Sequence, residues 1–356
     1  MAAKKIVCPD CEGIEIASVD RRGFLTGVAA AAATTSALTV FATPRLTAAP
    51  TPKSAAETAV KALYEALTDE QKKEICFDWD HQHKKWGLLR SHVSNNWNIT
   101  DKMIDSDFFT KKQRDILDDI FSGIFNPEWQ KKIKKQLRDD SHGDFGHGLS
   151  CAIFGKPGDG KFEFVMTGRH LTVRADGDSE SHVALGGPIF HGHQATDEGS
   201  LKEKPHHPNN IFWHQALLAT KVYGMLDKEQ QGMALVEARP KETAVGFHGA
   251  DKEAKYGGIA VKGFNPDQKK GLQAVLDSLI EPYRKEDQEE VQACLKKQGG
   301  LDACYLSFFK DGNFSGEGEW DNWRLEGPSF VWYFRGEPHV HIWINVADDP
   351  TVATNA

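Results

Sequence analysis

The chain has 356 residues, of which 26% are charged and 40% are hydrophobic, and its formal net charge at pH 7 is −8. This composition is typical of a globular protein that is long enough for a large core or two domains. The acidic balance argues against nucleic acid as the main partner. Six cysteines in this length are too few for a disulfide scaffold.

The first fifty residues are typical of an export signal and a linker. Residues 20–26 read DRRGFLT, with Arg21 and Arg22 placed as in a twin-arginine signal, and a weakly hydrophobic Ala/Thr-rich stretch follows. The runs ending at Ala42 and Ala49 are candidate cleavage sites. We therefore predict that residues 1–50 are signal peptide and linker, that the twin-arginine export machinery is a partner, and that the mature protein is periplasmic or extracellular. No later apolar run is long enough to cross a bilayer, so we expect no membrane span in the mature protein.

Similar helix starts recur about 155 residues apart. Thr68 and Gln71 fit a capping box, and residues 67–71 have the same shape as residues 226–230. A second helix start at residues 109–113 is matched at residues 264–268. Each set is followed by one more charged helix and then by a β-rich stretch.

The β-rich stretches also match in order. Residues 151–154 and 162–168 correspond to residues 304–308 and 322–327, and each stretch ends in a His-x-His pair. This order predicts an α+β fold built as a tandem duplication, in which each half has about three helices followed by antiparallel strands. The predicted repeats are residues 55–195 and residues 208–346.

The two His-x-His pairs are the main candidates for chemistry. They are His191 with His193, and His339 with His341. Residues two apart on a strand face the same side, so each pair would present two imidazoles together. Imidazole is the commonest protein ligand of zinc, copper and iron. A single pair is more often a chance occurrence, but two pairs at matching places favour a shared metal site.

His170 is the fifth candidate ligand. Residues 168–173 read GRHLTV, a strand pattern that would place His170 and Thr172 on one face and the apolar residues on the other. Its counterpart in the second half is Ser329, which indicates unequal roles for the halves. If the pairs do not meet, one pair joined by His170 or by a loop histidine, His142 or His147, is the alternative arrangement.

The sequence also excludes several kinds of site. It contains no nucleophile elbow, phosphate-binding loop or dinucleotide fingerprint, and no HExxH helix. The glycine-rich residues 155–160 lie between two predicted strands and are typical of a hairpin turn.

Several of these motifs together resemble the family catalogued as domain of unknown function 3500. They are the twin-arginine leader, the runs 154–157 (FGKP), 164–173 (FVMTGRHLTV) and 187–190 (GPIF), and the late 339–343 (HVHIW). The family usually has two adjacent histidines where this chain has Arg169 and His170. The resemblance implies a coherent fold over most of the mature chain and a histidine-bearing site, and it implies no particular reaction.

The residues together predict an exported, soluble, histidine-rich metal-binding protein. The expected cofactor is a divalent transition metal, zinc or copper, or iron if a carboxylate joins the ligands. As a metalloenzyme it would use the metal for hydrolysis or oxidation of a small-molecule substrate. The alternatives are a non-catalytic metal carrier and a ligand-binding protein that uses Trp323, Trp332 and Trp343 as an aromatic platform.

Overall fold

The computed structural model describes residues 49–193, 209–249, 251, 255–312, 319–336, 339–352 and 354. The predicted export signal, with Arg21 and Arg22, lies outside these described residues.

The described residues form eight α-helices, a large sheet of eleven strands and a small sheet of two. The helices are α1 (Ala55–Ala66), α2 (Asp69–Ile75), α3 (Lys111–Ile124), α4 (Pro127–Ser141), α5 (Trp213–Met225), α6 (Lys228–Ala234), α7 (Pro266–Ile280) and α8 (Lys285–Lys297). The strands are β1 (Cys76–Phe77), β2 (Gln82–His83), β3 (Gly87–Leu88), β4 (Leu149–Gly155), β5 (Phe162–Gly168), β6 (Leu171–Ala175), β7 (Ile189–His193), β8 (Leu235–Val236), β9 (Ile259–Ala260), β10 (Tyr305–Phe309), β11 (Asn322–Gly327), β12 (Phe330–Arg335) and β13 (Val340–Val346). The α+β prediction is confirmed.

The large sheet runs in the order β1-β4-β5-β6-β7-β13-β12-β11-β10-β8, and β9 also pairs with β10. Its neighbours are antiparallel except for the short edge pairs β1–β4 and β8–β10. Strands from residues 76–193 therefore lie on one side of the β7–β13 junction, and strands from residues 235–346 lie on the other. Four helices, rather than the predicted three, belong to each of these parts of the chain, because the seven-residue helices α2 and α6 form separately after α1 and α5.

The predicted capping box of Thr68 and Gln71 is confirmed, and the same device starts α3, α6 and α7. The glutamines of these boxes also join helices to one another. The Gln113 amide bonds to the Gln71 amide and donates to the carbonyl oxygen of Ala66 at 2.8 Å. In the second part of the chain, the Gln268 amide bonds in the same way to Gln230 and to the carbonyl oxygen of Met225.

Both faces of the large sheet are covered, so the residues of its central strands are buried on both sides. The helices pack on one face, called here the helix face, and share a core with Val340, Ile342 and Ile344 of β13. On the opposite face, called the loop face, Trp343 packs with Val245 of the segment that follows β8. Alternation along a strand thus assigns each side chain of β7 and β13 to one of two different environments. No helix in the described ranges has both the length and the apolar character needed to cross a bilayer.

We predict that Gln113→Ala lowers the free energy of unfolding by about 2 kcal/mol, because it removes a cap and leaves the partly buried Ala66 carbonyl without its donor. Urea unfolding monitored by circular dichroism measures the change. Lys112→Ala, on the exposed side of the same helix, is the control and should change stability little. Equal stability of the two variants would contradict the role assigned to Gln113.

Candidate metal centre

His339 and His341 lie at the start of β13, at the junction of the two parts of the large sheet. His341 pairs with Gly192 of β7 and faces the loop side, like Trp343 two residues later. His339, two residues earlier, precedes the strand and is 4% exposed. The predicted pair on one side of the chain is therefore present and buried.

The sequence pattern predicts that His170 lies in a strand. In the structure it lies instead in the turn between β5 and β6. Gly168 pairs directly with Leu171, so the two residues between them form a two-residue hairpin. His170 adopts the left-handed conformation, with φ of 57°, as expected for tight hairpins and unusual for a residue other than glycine. Such backbone strain is common where a side chain must be held in place for function.

The three imidazoles of His170, His339 and His341 converge. Their Nε2 atoms are 3.0 Å apart between His170 and His339, 3.1 Å between His339 and His341, and 3.3 Å between His170 and His341. His170 and His341 are fully buried. This buried group could hold a metal ion.

Carboxylates orient two of the rings from behind. Asp140, near the end of α4, lies 3.0 Å from Nδ1 of His170, and Glu242 lies 2.7 Å from Nδ1 of His341. Glu242 also pairs with Arg335, which sits opposite His341 on β12. An ionised carboxylate only accepts hydrogen bonds, so it holds the ring proton on Nδ1 and leaves Nε2 as a lone pair.

The surroundings keep the three rings neutral. Burial lowers the pKa of His170, and it lowers the pKa values of His339 and His341 well below the ordinary histidine value. The other two rings and the Arg335 guanidinium lower the pKa of His339 further. Neutral imidazole is the form that binds a metal.

Gly192 makes room for the cluster. A Cβ atom at this position would lie 3.0 Å from Cδ2 of both His170 and His341, and 2.7 Å from the carbonyl oxygen of Val340. Those distances are too short for ordinary packing. Gly192, between His191 and His193, therefore allows the rings of His170 and His341 to meet because it has no side chain.

His191 and His193 do not join the three. They pair with Ile342 and Val340, so their side chains project toward the helix face, opposite to His341. Nδ1 of His191 and the Tyr283 hydroxyl are hydrogen-bonded at 2.9 Å, and the His191 ring packs on Phe212. Burial lowers its pKa to about 3. The prediction that both pairs share one site fails, since the register places Gly192, rather than a histidine, opposite His341.

The loop histidines are also separate from the cluster. His142 ends α4 in the left-handed conformation. His147 is partly exposed and lies 2.7 Å from Asp105. Among the residues that the structure describes, the arrangement found is His339 and His341 joined by His170.

The three tryptophans of the aromatic alternative do not form a platform. Trp323 and Trp332 are buried in the core of the helix face, whereas Trp343 is buried on the loop face. Trp323 stacks on Phe334 with an interplanar angle of 4°. These indoles fill the interior and have no surface to offer a ligand.

Sequence reasoning did not find Asp140, Glu242, Arg335 or Gly192. Asp140 and Glu242 are far from the histidines along the chain, and neither belongs to a recognisable motif. The burial of Asp140, which is 5% exposed although it lies in a charged helix, becomes visible only in the structure. The pairing of Arg335 with His341 required the strand register.

Comparison with known proteins gives one match. The family model described as "Protein of unknown function (DUF3500)" matches residues 49–346. No curated protein and no solved structure matches the chain. The matched range covers all three histidines and both carboxylates behind them. The chain therefore belongs to the DUF3500 family.

Proposed function

We propose that this protein binds a transition-metal ion through Nε2 of His170, His339 and His341. The observation that carries the proposal is the spacing of these atoms, 3.0–3.3 Å. A tetrahedral ion with metal–nitrogen bonds of about 2.0–2.1 Å separates its ligand nitrogens by about 3.3–3.4 Å. The rings are therefore within a few tenths of an ångström of one face of such a site.

The protonation pattern supports the same proposal. With Nδ1 of His170 and His341 directed at carboxylates, both Nε2 atoms are acceptors, and His339 can supply a proton to only one of them at a time. A cation placed among the three Nε2 atoms would be stabilised by the lone pairs that converge there.

The ligand set favours zinc or copper. Three imidazole nitrogens suit both ions, whereas iron sites of this kind usually include a carboxylate ligand. Asp140 and Glu242 contact the Nδ1 atoms of His170 and His341, on the side of each ring opposite to Nε2. They are placed to orient ligands and raise their basicity.

The finer proposal is a metalloenzyme. Three protein ligands leave a coordination position for an exchangeable small molecule, which is characteristic of catalytic rather than structural sites. A metal bound there would supply activation of water for hydrolysis, or binding of oxygen species for oxidation. Asp140, Glu242 and Arg335 would hold the ligand rings, and the buried surroundings would limit access of bulk water. A metal carrier is the second candidate, favoured by the deep burial of the ligands.

We also propose that the chain is a tandem duplication with repeats at residues 55–195 and 208–346. The sheet order and the four recurring capping boxes support it. Under this proposal the strand registers equate His191, opposite Leu171, with Val346, opposite Phe330. The two histidine pairs would then not be equivalent to each other.

The same correspondence relates His170 to Ser329, which occupies the turn between β11 and β12. The Ser329 backbone N–H donates to Oε1 of Gln298 at 2.7 Å, and Gln298 directly follows α8. The contact between Asp140 and His170 would thus correspond to the contact between Gln298 and Ser329, which is uncharged and offers no imidazole to a metal. The proposed duplication has one metal-binding half-site, which depends on β13 for its other two ligands.

We predict that purified protein contains about one zinc or copper ion per chain and that His341→Ala lowers this below about a tenth. His147→Ala, which removes a partly exposed histidine, should retain the metal. Elemental analysis of protein purified without chelators measures both. Full metal content in the His341 variant would refute the ligand assignment.

We predict that Glu242→Gln weakens metal affinity about 10- to 100-fold while the protein stays folded, because the amide no longer holds the His341 proton by charge. Competition with a chromophoric chelator measures the affinity, and Glu237→Gln is the exposed control. An affinity equal to that of the unaltered protein would exclude a role for Glu242 in holding the ligand.

The coordination position that the three histidines leave free predicts that an added anion changes the visible spectrum of the metal. In the cobalt-substituted protein, azide should shift the visible absorption bands, because an exchangeable fourth ligand is replaced. A spectrum insensitive to azide at saturating concentration would favour the carrier over the enzyme.

We further propose that the chain is exported by the twin-arginine route. Changing Arg21 and Arg22 together to lysine should leave the precursor in the cytoplasm, because the signal depends on the guanidinium pair. Cell fractionation followed by immunoblotting measures the distribution. Unchanged export of the double variant would refute this proposal.

A further inference from the structure

A second feature, away from the histidines, is a groove of about 950 Å³ along α8. Val183, Ile280 and Cys294 form part of its apolar lining, and its rim is strongly charged. Ala49, the first residue that the structure describes, also lines it. The polypeptide therefore enters the described fold from inside this groove.

The entry point is fixed by close packing. Pro50 is buried, and a Cβ atom on Gly177 would lie 2.9 Å from the backbone nitrogen of Pro52. Gly177 has a φ of 60° and belongs to the turn that carries Asp178 into the groove. The first described residues and Asp178 thus belong to one packed region of the groove.

The groove is lined by five carboxylates and three lysines, Lys285, Lys296 and Lys297, so negative charge is in excess. Lys285 pairs with Glu289 and Lys297 pairs with Asp348. Among the described residues, no ion pair involves Asp178 or Glu290. Glu290 accepts a hydrogen bond from the Leu185 N–H at 3.0 Å, and burial raises its pKa well above the ordinary value, with nearby carboxylates adding to the shift. A cation at this place would be stabilised.

The sequence supplies a cation within reach. Arg45 stands four residues before Ala49, and residues 41–48 read FATPRLTA. Four extended residues span about 13 Å. Ala49, Asp178 and Glu290 line the same groove, so that length would be enough for an Arg45 guanidinium to reach these carboxylates.

We propose that the groove binds the chain's own residues 41–48, with Arg45 paired to Asp178 and Glu290. The binding would depend on processing. Cleavage after Ala42 would leave residues 43–48, with Arg45, attached, whereas cleavage after Ala49 would release the groove. The groove would then be occupied in the first form of the protein and open in the second.

Limited trypsin digestion of the full chain tests the proposal, because trypsin cuts after Arg45. A seated segment protects this bond, since proteolysis follows the population of the open form. We expect cleavage after Arg45 to be about tenfold faster in the double variant Asp178→Asn, Glu290→Gln than in the unaltered protein. Mass spectrometry measures it, with cleavage after Arg22 in the same molecule as the internal reference.

Asp267→Asn, at the exposed start of α7, removes a surface carboxylate away from the groove and should leave the rate unchanged. Thermal unfolding checks that the double variant is folded. If it is not, a peptide of residues 41–48 added to the unaltered protein should speed cleavage after Arg45 relative to cleavage after Arg22, because it competes for the groove. The Arg22 rate corrects for the trypsin that the peptide itself consumes. Equal rates after Arg45 in the unaltered protein and a folded double variant, or no effect of the peptide, would overturn the proposal. Protection that increases with protein concentration would also overturn it, because the segment would then occupy the groove of a second copy.

Discussion

The register of β7 against β13 is the constraint on which the candidate site depends. It sets Gly192 opposite His341, so that the ring of His341 and the ring of His170 meet above a position without a side chain. A shift by one residue would place His191 or His193 opposite His341 and turn the side chains of one strand to the other face. The covering of both faces by apolar cores makes such a shift unfavourable, because Ile342 and Trp343 would exchange environments.

The second determinant is how charge is distributed around the buried rings. Desolvation lowers the pKa of a buried imidazole, so the ring is neutral and keeps one N–H proton. The carboxylates behind His170 and His341 hold that proton on Nδ1. Arg335 compensates Glu242, so the ring of His341 is oriented without leaving an unpaired buried charge. The outcome is a neutral group of nitrogen lone pairs inside the protein, which is the electronic requirement for a soft or borderline cation.

The amino-acid sequence predicted the α+β class, the capping box at Thr68 and three residues of the cluster. The capping box succeeds because it is a local pattern that needs no tertiary contact. His339 and His341 lie on one side of the chain, as their spacing predicts, whereas His170 joins them from a turn and not from the predicted strand. The failures are non-local. His191 and His193 were wrongly grouped with His341. The spacing of histidines along one strand does not show which face of the sheet they share with the histidines of a neighbouring strand. Asp140 and Glu242 were not found, because 30 and 99 residues separate them from the rings they orient.

The central claim is that three Nε2 atoms form one face of a metal site. Anomalous diffraction from crystals of natively purified protein, recorded on both sides of the zinc and copper absorption edges, tests it most directly. The account predicts a single strong peak at about 2.0–2.1 Å from Nε2 of His170, His339 and His341. A fully ordered cluster without a peak, or a peak bound by other residues, would contradict it.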